Sequence, residues 1–213
     1  MITYRLAKSS DAMSLAKVHI ICAKHQNDGF FHKLGVLFIW RYYKILISNK
    51  HSVIVLAEDE NGFCYGFHSG TLKAEEQLLS MKKNKISLFF SVLPQLILSP
   101  NLILEVIKRY KYVSNDKSIK YGVKFGPRAV YWAWHPSYKN GPGSVMIRKM
   151  WGNIIYELGY GSFKFEVDLT NVDIKKYVRA FSCILIEELD LPDGRKRVIL
   201  EQSSKKFRVL TKK

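Results

Sequence analysis

The stretch Tyr131–Asn171, which begins YWAWHPSYKNGPGSV, constrains this chain more than any other, because an aromatic strand stops at Pro136 and a helical pattern takes over just beyond it. The connection is Tyr138-Lys139-Asn140-Gly141-Pro142-Gly143. Glycines at a strand-to-helix turn let the backbone come close to a ligand. The N–H groups of a first helical turn lack intrahelical acceptors and, with the helix dipole, attract an anion. A pyrophosphate fits such a turn. A tight turn that does no more than start a helix is the plainer alternative for this pattern on its own.

The flanking sequence sets that turn within a longer order of elements. ITYRLA alternates as a strand, SSDAMSLAKVHIICAKH has a serine cap before apolar residues at helical spacing, and LGVLFIWRYYKILIS has a second helical face. HSVIVLAEDENGFCYGFHSGTL gives two β-rich runs around the turn Asp59-Glu60-Asn61-Gly62. An interruption from about Lys73 to about Phe125 holds two apolar helical pieces punctuated by Pro94 and Pro100, with Ser99 suited to cap the second. PRAVYWAWHP then reads as a strand, Gly143 to about Leu158 as a helix, SFKFEVDL as a strand and Val172 to Phe181 as a helix. The tail closes with a hairpin around Pro192-Asp193-Gly194. On the strand before the glycine turn, alternation sets Trp132 and Trp134 on one face and Tyr131 on the other.

This order, β-α-α-β-β, insertion, β-α-β-α-β-β, resembles that of the GNAT superfamily of acyl-CoA-dependent N-acyltransferases. Trp134-His135-Pro136 is similar to the Val-x-Pro that ends that family's central strand, and the glycine connection is similar to its Q/R-x-x-G-x-G/A loop. The loop here is one residue shorter, with Tyr138 where the family has Gln or Arg and Lys139 next to it. Downstream, Val167 and Asn171 keep the family spacing, whereas Ile174 stands in an alanine slot, Val178 in a tyrosine slot with Tyr177 one residue earlier, and Ser182-Cys183 in place of Gly-Phe.

The resemblance implies an α/β (α+β) fold, a mixed and mostly antiparallel central sheet flanked by helices, with residues 1–213 forming a single domain and the helical insertion between the third and fourth strands. It implies acetyl-CoA as acyl donor, held by Trp134, Tyr138, Lys139, Asn140, Gly141, Gly143, Ser144, Val145 and Asn171. It further implies direct attack of an amine on the thioester, without a covalent enzyme intermediate, and Tyr177 as the group that protonates the departing thiolate. The attacking amine must itself lose a proton. His135, at the end of the central strand, carries an imidazole suited to take it, with Tyr131 and Asp168 as further candidates. No histidine or cysteine spacing suggests a metal.

Charge narrows the partners. Lys and Arg number 34 against 18 Asp and Glu, a net +16, which draws anionic partners over long range. The tail from Arg195 to Lys213 is strongly basic, but no nucleic-acid module accompanies it, so no specific nucleic-acid partner is expected. Cys22, Cys64 and Cys183 are widely spaced and odd in number, and the opening residues have no apolar signal core, so a reduced, cytoplasmic protein is expected. The apolar run Ile86 to Leu98 is too short and proline-broken to span a bilayer. Helical packing on the rest of the protein is expected there in preference to a peripheral membrane contact. The acceptor expected from the basic surface is an amino sugar or nucleotide-linked amino sugar in polysaccharide biosynthesis. Protein lysine or N-terminal acetylation, or a non-catalytic acyl-CoA-binding module, are the alternatives.

Overall fold

The structure is a computed structural model that describes residues 1–24, 30–107, 122–138, 141–169, 178, 181–191 and 194–208. In chain order its elements are β1 (Thr3–Leu6), α1 (Ala12–Ala23), α2 (Phe30–Lys33), α3 (Gly35–Ser48), β2 (Ser52–Glu58), β3 (Cys64–Thr71), α4 (Ala74–Lys83), α5 (Lys85–Leu98), β4 (Arg128–Trp134), α6 (Gly141–Glu157), β5 (Ser162–Asp168), β6 (Ile184–Asp190) and β7 (Lys196–Ser203). The strands form one sheet in the order β1-β2-β3-β4-β5-β7-β6. Every neighbouring pair is antiparallel except β4 and β5, which run parallel. The mixed, mostly antiparallel sheet expected from the sequence is therefore present.

β2 explains why both faces of the sheet must be covered. Its run Val53–Ala57 is buried throughout, so successive residues supply opposite faces. Ile54 and Leu56 join Leu15, Ile39, Tyr43 and Leu46 from α1 and α3. Val53 and Val55 join Ile147, Trp151 and Ile155 of α6 on the other side. The β2–β3 connection turns where the sequence signalled it. Gly62 has a φ of +77°, and the Asp59 carboxylate accepts the N–H groups of Asn61 and Phe63 at 2.9 Å each.

The insertion departs from expectation in two places. Pro94 does not divide two helical pieces but sits inside α5, on the solvent side, where the lost N–H costs least. Ser99 is the C-cap of α5, and the chain makes a turn before residues 102–107 become helical, so Ser99 does not cap the next helix from directly before Pro100. α5 lies along α3, where Val92 is buried and the Gln95 side chain fills the space beside Gly35. The expected packing of the insertion thus holds along this inner stripe alone.

Candidate functional site

The site begins as a gap in the sheet. β4 and β5 share one register pair, Arg128↔Lys164, at their beginnings. From there β5 pairs with β7 along its whole length and β4 with β3. No ladder joins β4 to β5 beyond that first pair among the described residues, so the two strands part toward their C-terminal ends. A β-bulge accompanies the divergence. Ser69 faces Tyr131 and Gly70 faces Ala129, leaving Val130 with no partner in the ladder. A bulge raises local twist and re-aims side chains. Here Ala129 packs with the α6-side core, whereas Tyr131 turns to the α1 and α3 side.

Ion pairs fix β5 at two places in its second half. Near its middle, Glu166 accepts from the Arg128 guanidinium at 2.7 Å and from the Val123 N–H at 2.6 Å. At its end, Asp168 accepts from Arg195 at 2.6 Å and from Arg197 at 2.7 Å. Both carboxylate oxygens of Asp168 are thereby engaged with cations, which makes it a strut between β5 and β7 and removes it from the candidates for the base. Tyr131, the other alternative, stacks on His19 at 3.9 Å within the core between sheet and helices.

The end of β4 is held by an aromatic clamp. The Trp134 indole N–H donates to the Tyr138 carbonyl at 2.6 Å, and its ring stacks on Tyr65. The Tyr138 ring packs edge-on against Tyr65 at 4.7 Å and lies 5.2 Å from His135. The His135 N–H donates to the Tyr65 carbonyl at 2.7 Å, and its Nδ1 accepts the Ser137 N–H at 3.3 Å. These contacts steer the chain off the sheet and back into α6, whose helical hydrogen bonding starts at Gly141, two residues ahead of the Gly143 start read from the sequence. Gly141 and Pro142 are exposed and Gly143 is buried. The first turn is pinned to β4 by Trp132, whose indole N–H donates to the Ser144 carbonyl at 3.2 Å.

Further along α6 lies a buried cation. Arg148 donates to His68 Nε2 at 2.8 Å and to Gln202 Oε1 at 2.7 Å, with its guanidinium 5.7 Å from the centre of the Trp132 ring. Burial, and then the charge of Arg148, holds the His68 imidazole well below its ordinary range, so the neutral ring accepts at Nε2.

Trp134, His135, Tyr138, Gly141, Gly143, Ser144 and Val145 are thus brought together where β4 passes into α6. Lys139, Asn140, Asn171 and Tyr177 lie outside the described residues, as does most of the expected helix from Val172 to Phe181. Sequence reasoning set Trp132 on one strand face with Trp134, and it missed Tyr65 and the Arg148–His68–Gln202 group. Nothing local announces that an arginine on α6 meets a histidine on β3 and a glutamine on β7.

No protein-family model and no curated protein sequence matches the chain. Solved structures do. A GNAT-family acetyltransferase from Bacillus cereus superposes with a TM-score of 0.51 at 12% identity, covering 95% of this chain and 97% of the other. The PaiA N-acetyltransferase from Thermoplasma acidophilum, in complex with coenzyme A, gives 0.56 at 10% identity over 95% and 99%. The ribosomal-protein-S18-alanine N-acetyltransferase from Escherichia coli gives 0.53 at 10% identity over 95% and 94%. The fold of this chain is that of the GNAT acetyltransferases.

Proposed function

We propose that the chain is an N-acyltransferase that moves an acetyl or other short acyl group from acyl-CoA to a primary amine. One observation carries the reading: β4 and β5 part after a single register pair, and the gap leads to the glycine-led start of α6. A strand edge without its neighbour offers backbone groups to an extended, amide-bearing ligand. A helix N-terminus that opens on glycines suits a pyrophosphate. An acyl-CoA carries both chemistries, an amide-bearing arm and a pyrophosphate, and one structural neighbour is described in complex with coenzyme A.

In this reading the amine nitrogen attacks the thioester carbonyl carbon, the C–S bond breaks, one N–H proton leaves and the thiolate gains one. The residues assigned to hold the donor are Trp134, Tyr138, Lys139, Asn140, Gly141, Gly143, Ser144, Val145 and Asn171. Tyr177 protonates the thiolate. His135 is assigned to the amine proton, a role that requires the Ser137 N–H to release Nδ1, since the neutral ring otherwise carries its proton on Nε2. The acceptor in this reading is an amino sugar or nucleotide-linked amino sugar in polysaccharide biosynthesis in the cytoplasm, supported by the net charge of +16, which favours anionic substrates.

Calorimetry with acetyl-CoA and turnover with a panel of amines test this. Wild-type protein is expected to bind acetyl-CoA, and Gly141→Glu, at an exposed position where an added Cβ meets nothing within 4 Å, to set negative charge beside the phosphate position and weaken binding by at least roughly tenfold in a folded protein. Unchanged affinity in that variant would put the donor elsewhere.

A further inference from the structure

We infer that the outer face of α5, together with the helical residues 102–107, docks on the surface of an anionic membrane. Ile86, Phe89, Phe90, Pro94, Ile97 and Leu98 recur at three- and four-residue spacing, which sets them along one side of the helix. All six are exposed, Ile97 and Leu98 by more than three quarters. The polarity of a surface helix is thus inverted, with its apolar stripe in solvent. Between α5 and residues 102–107 runs a groove of about 460 Å³ lined by apolar side chains alone, Phe89, Leu93, Ile103 and Ile107 among them. An apolar surface of this continuity on a charged protein marks an interaction site.

The charge around the stripe selects the occupant. Residues 77–104 contain no aspartate or glutamate, and exposed Lys82, Lys83 and Lys85 lie where α4 passes into α5. Lysines beside an exposed apolar stripe are the arrangement that holds an interfacial helix on acidic lipid, the cations meeting phosphate headgroups while the aromatic side chains enter the acyl boundary. A second copy of the chain is disfavoured by the same charge. A two-fold contact through this face would bring both lysine clusters together on proteins each carrying +16. Among the described residues no helix is long and apolar enough to cross a membrane, so the contact is peripheral. This inference does not rest on the acyl-transfer reading.

The test uses the whole protein and phosphatidylcholine vesicles with and without phosphatidylglycerol, assayed by flotation at low and high salt. Retention is expected on the phosphatidylglycerol vesicles, weakened by salt. Phe89→Ser combined with Phe90→Ser, at positions more than half exposed, is expected to lower retention by at least roughly tenfold while changing the thermal unfolding midpoint little. Replacing Lys82, Lys83 and Lys85 with glutamine is expected to remove the salt dependence. Three outcomes would overturn the inference: no retention of the wild-type protein on phosphatidylglycerol vesicles, equal retention of the phenylalanine variant, or sedimentation as a dimer that the phenylalanine variant dissolves while vesicles stay unbound.

Discussion

A phenol holds its proton at neutral pH and can deliver it to a thiolate as the C–S bond breaks, which is the part the proposed mechanism gives to Tyr177. Tyr177→Phe keeps the ring and removes the proton alone. Turnover is expected to fall by at least roughly tenfold with acetyl-CoA affinity unchanged, the mark of a group that acts in the transition state. His135 has a different signature. Its ring lies 5.7 Å from Phe63 and 5.2 Å from Tyr138, so His135→Gln gives up aromatic contact as well as the imidazole. As the base, its loss should lower turnover by at least roughly tenfold, and added imidazole should restore part of it. A rate near wild type, or one that imidazole leaves unchanged, would leave His135 as packing for the clamp and hand the amine proton to solvent.

At the scale of elements, the close approach of α6 to β3 is what sets the start of α6 beside the gap. Trp151 lies flat over β3, its indole N–H donating to the Val53 carbonyl at 2.9 Å and its ring stacked on His68 at 4.6 Å. Gly70 makes room for it. A Cβ at that position would sit 2.2 Å from the Trp151 ring and 2.6 Å from the Arg128 carbonyl, and the second of these is backbone that cannot swing away. Gly70→Ala is therefore expected to destabilise the fold by about 1–3 kcal/mol, lowering the thermal midpoint by roughly 2–12 °C. Gly161→Ala, where an added Cβ meets nothing within 4 Å, is the control and should stay near wild type.

Much of this layer was legible in the sequence. The β-rich run of β2, the Asp59–Gly62 turn and the glycine entry to α6 are all written in neighbouring residues. Pro94 was misread because proline removes a helical hydrogen bond and crowds the turn before it, and here it lies on the solvent side, where water can take up the carbonyl left unpaired. The bulge at Val130 has no local signature at all. It exists because β3 and β4 must keep register on either side of one surplus residue, and that is a property of the pair. The departure of β4 from β5, on which the candidate site depends, is likewise a relation between strands far apart in the chain.

For the molecule as a whole, buried titratable groups set the pH range in which the fold is stable. His19 lies between the sheet and α1, its Nδ1 2.7 Å from the Tyr43 hydroxyl and its ring against Tyr131. Burial, with a smaller contribution from His32, pushes its pKa down to about 3, and His68 is displaced in the same direction. A histidine with a depressed folded pKa contributes stability that is complete above its unfolded value of about 6.5 and is lost as pH falls toward the folded value, because the unfolded chain binds the proton more readily. The buried thiols act at the other end. Burial raises Cys64 to about 12 and Cys22 to about 11, so their contribution is complete below the unfolded thiol value and fades as pH rises through it. The stability plateau is expected between about pH 6.5 and the unfolded thiol value near 8.5. At pH 5 His19 alone should cost roughly 2 kcal/mol, or roughly 4–8 °C in thermal midpoint, and His68 adds to the same slope. His19→Leu removes the titration together with the Tyr43 hydrogen bond, so its midpoint should start lower at pH 7.5 yet fall less on going to pH 5. The difference between the two slopes isolates the proton from the lost contact. Equal slopes for wild type and variant would show that His19 reaches solvent in the folded state and that the acid limb belongs to other groups, the mutual repulsion of a chain already at +16 foremost among them.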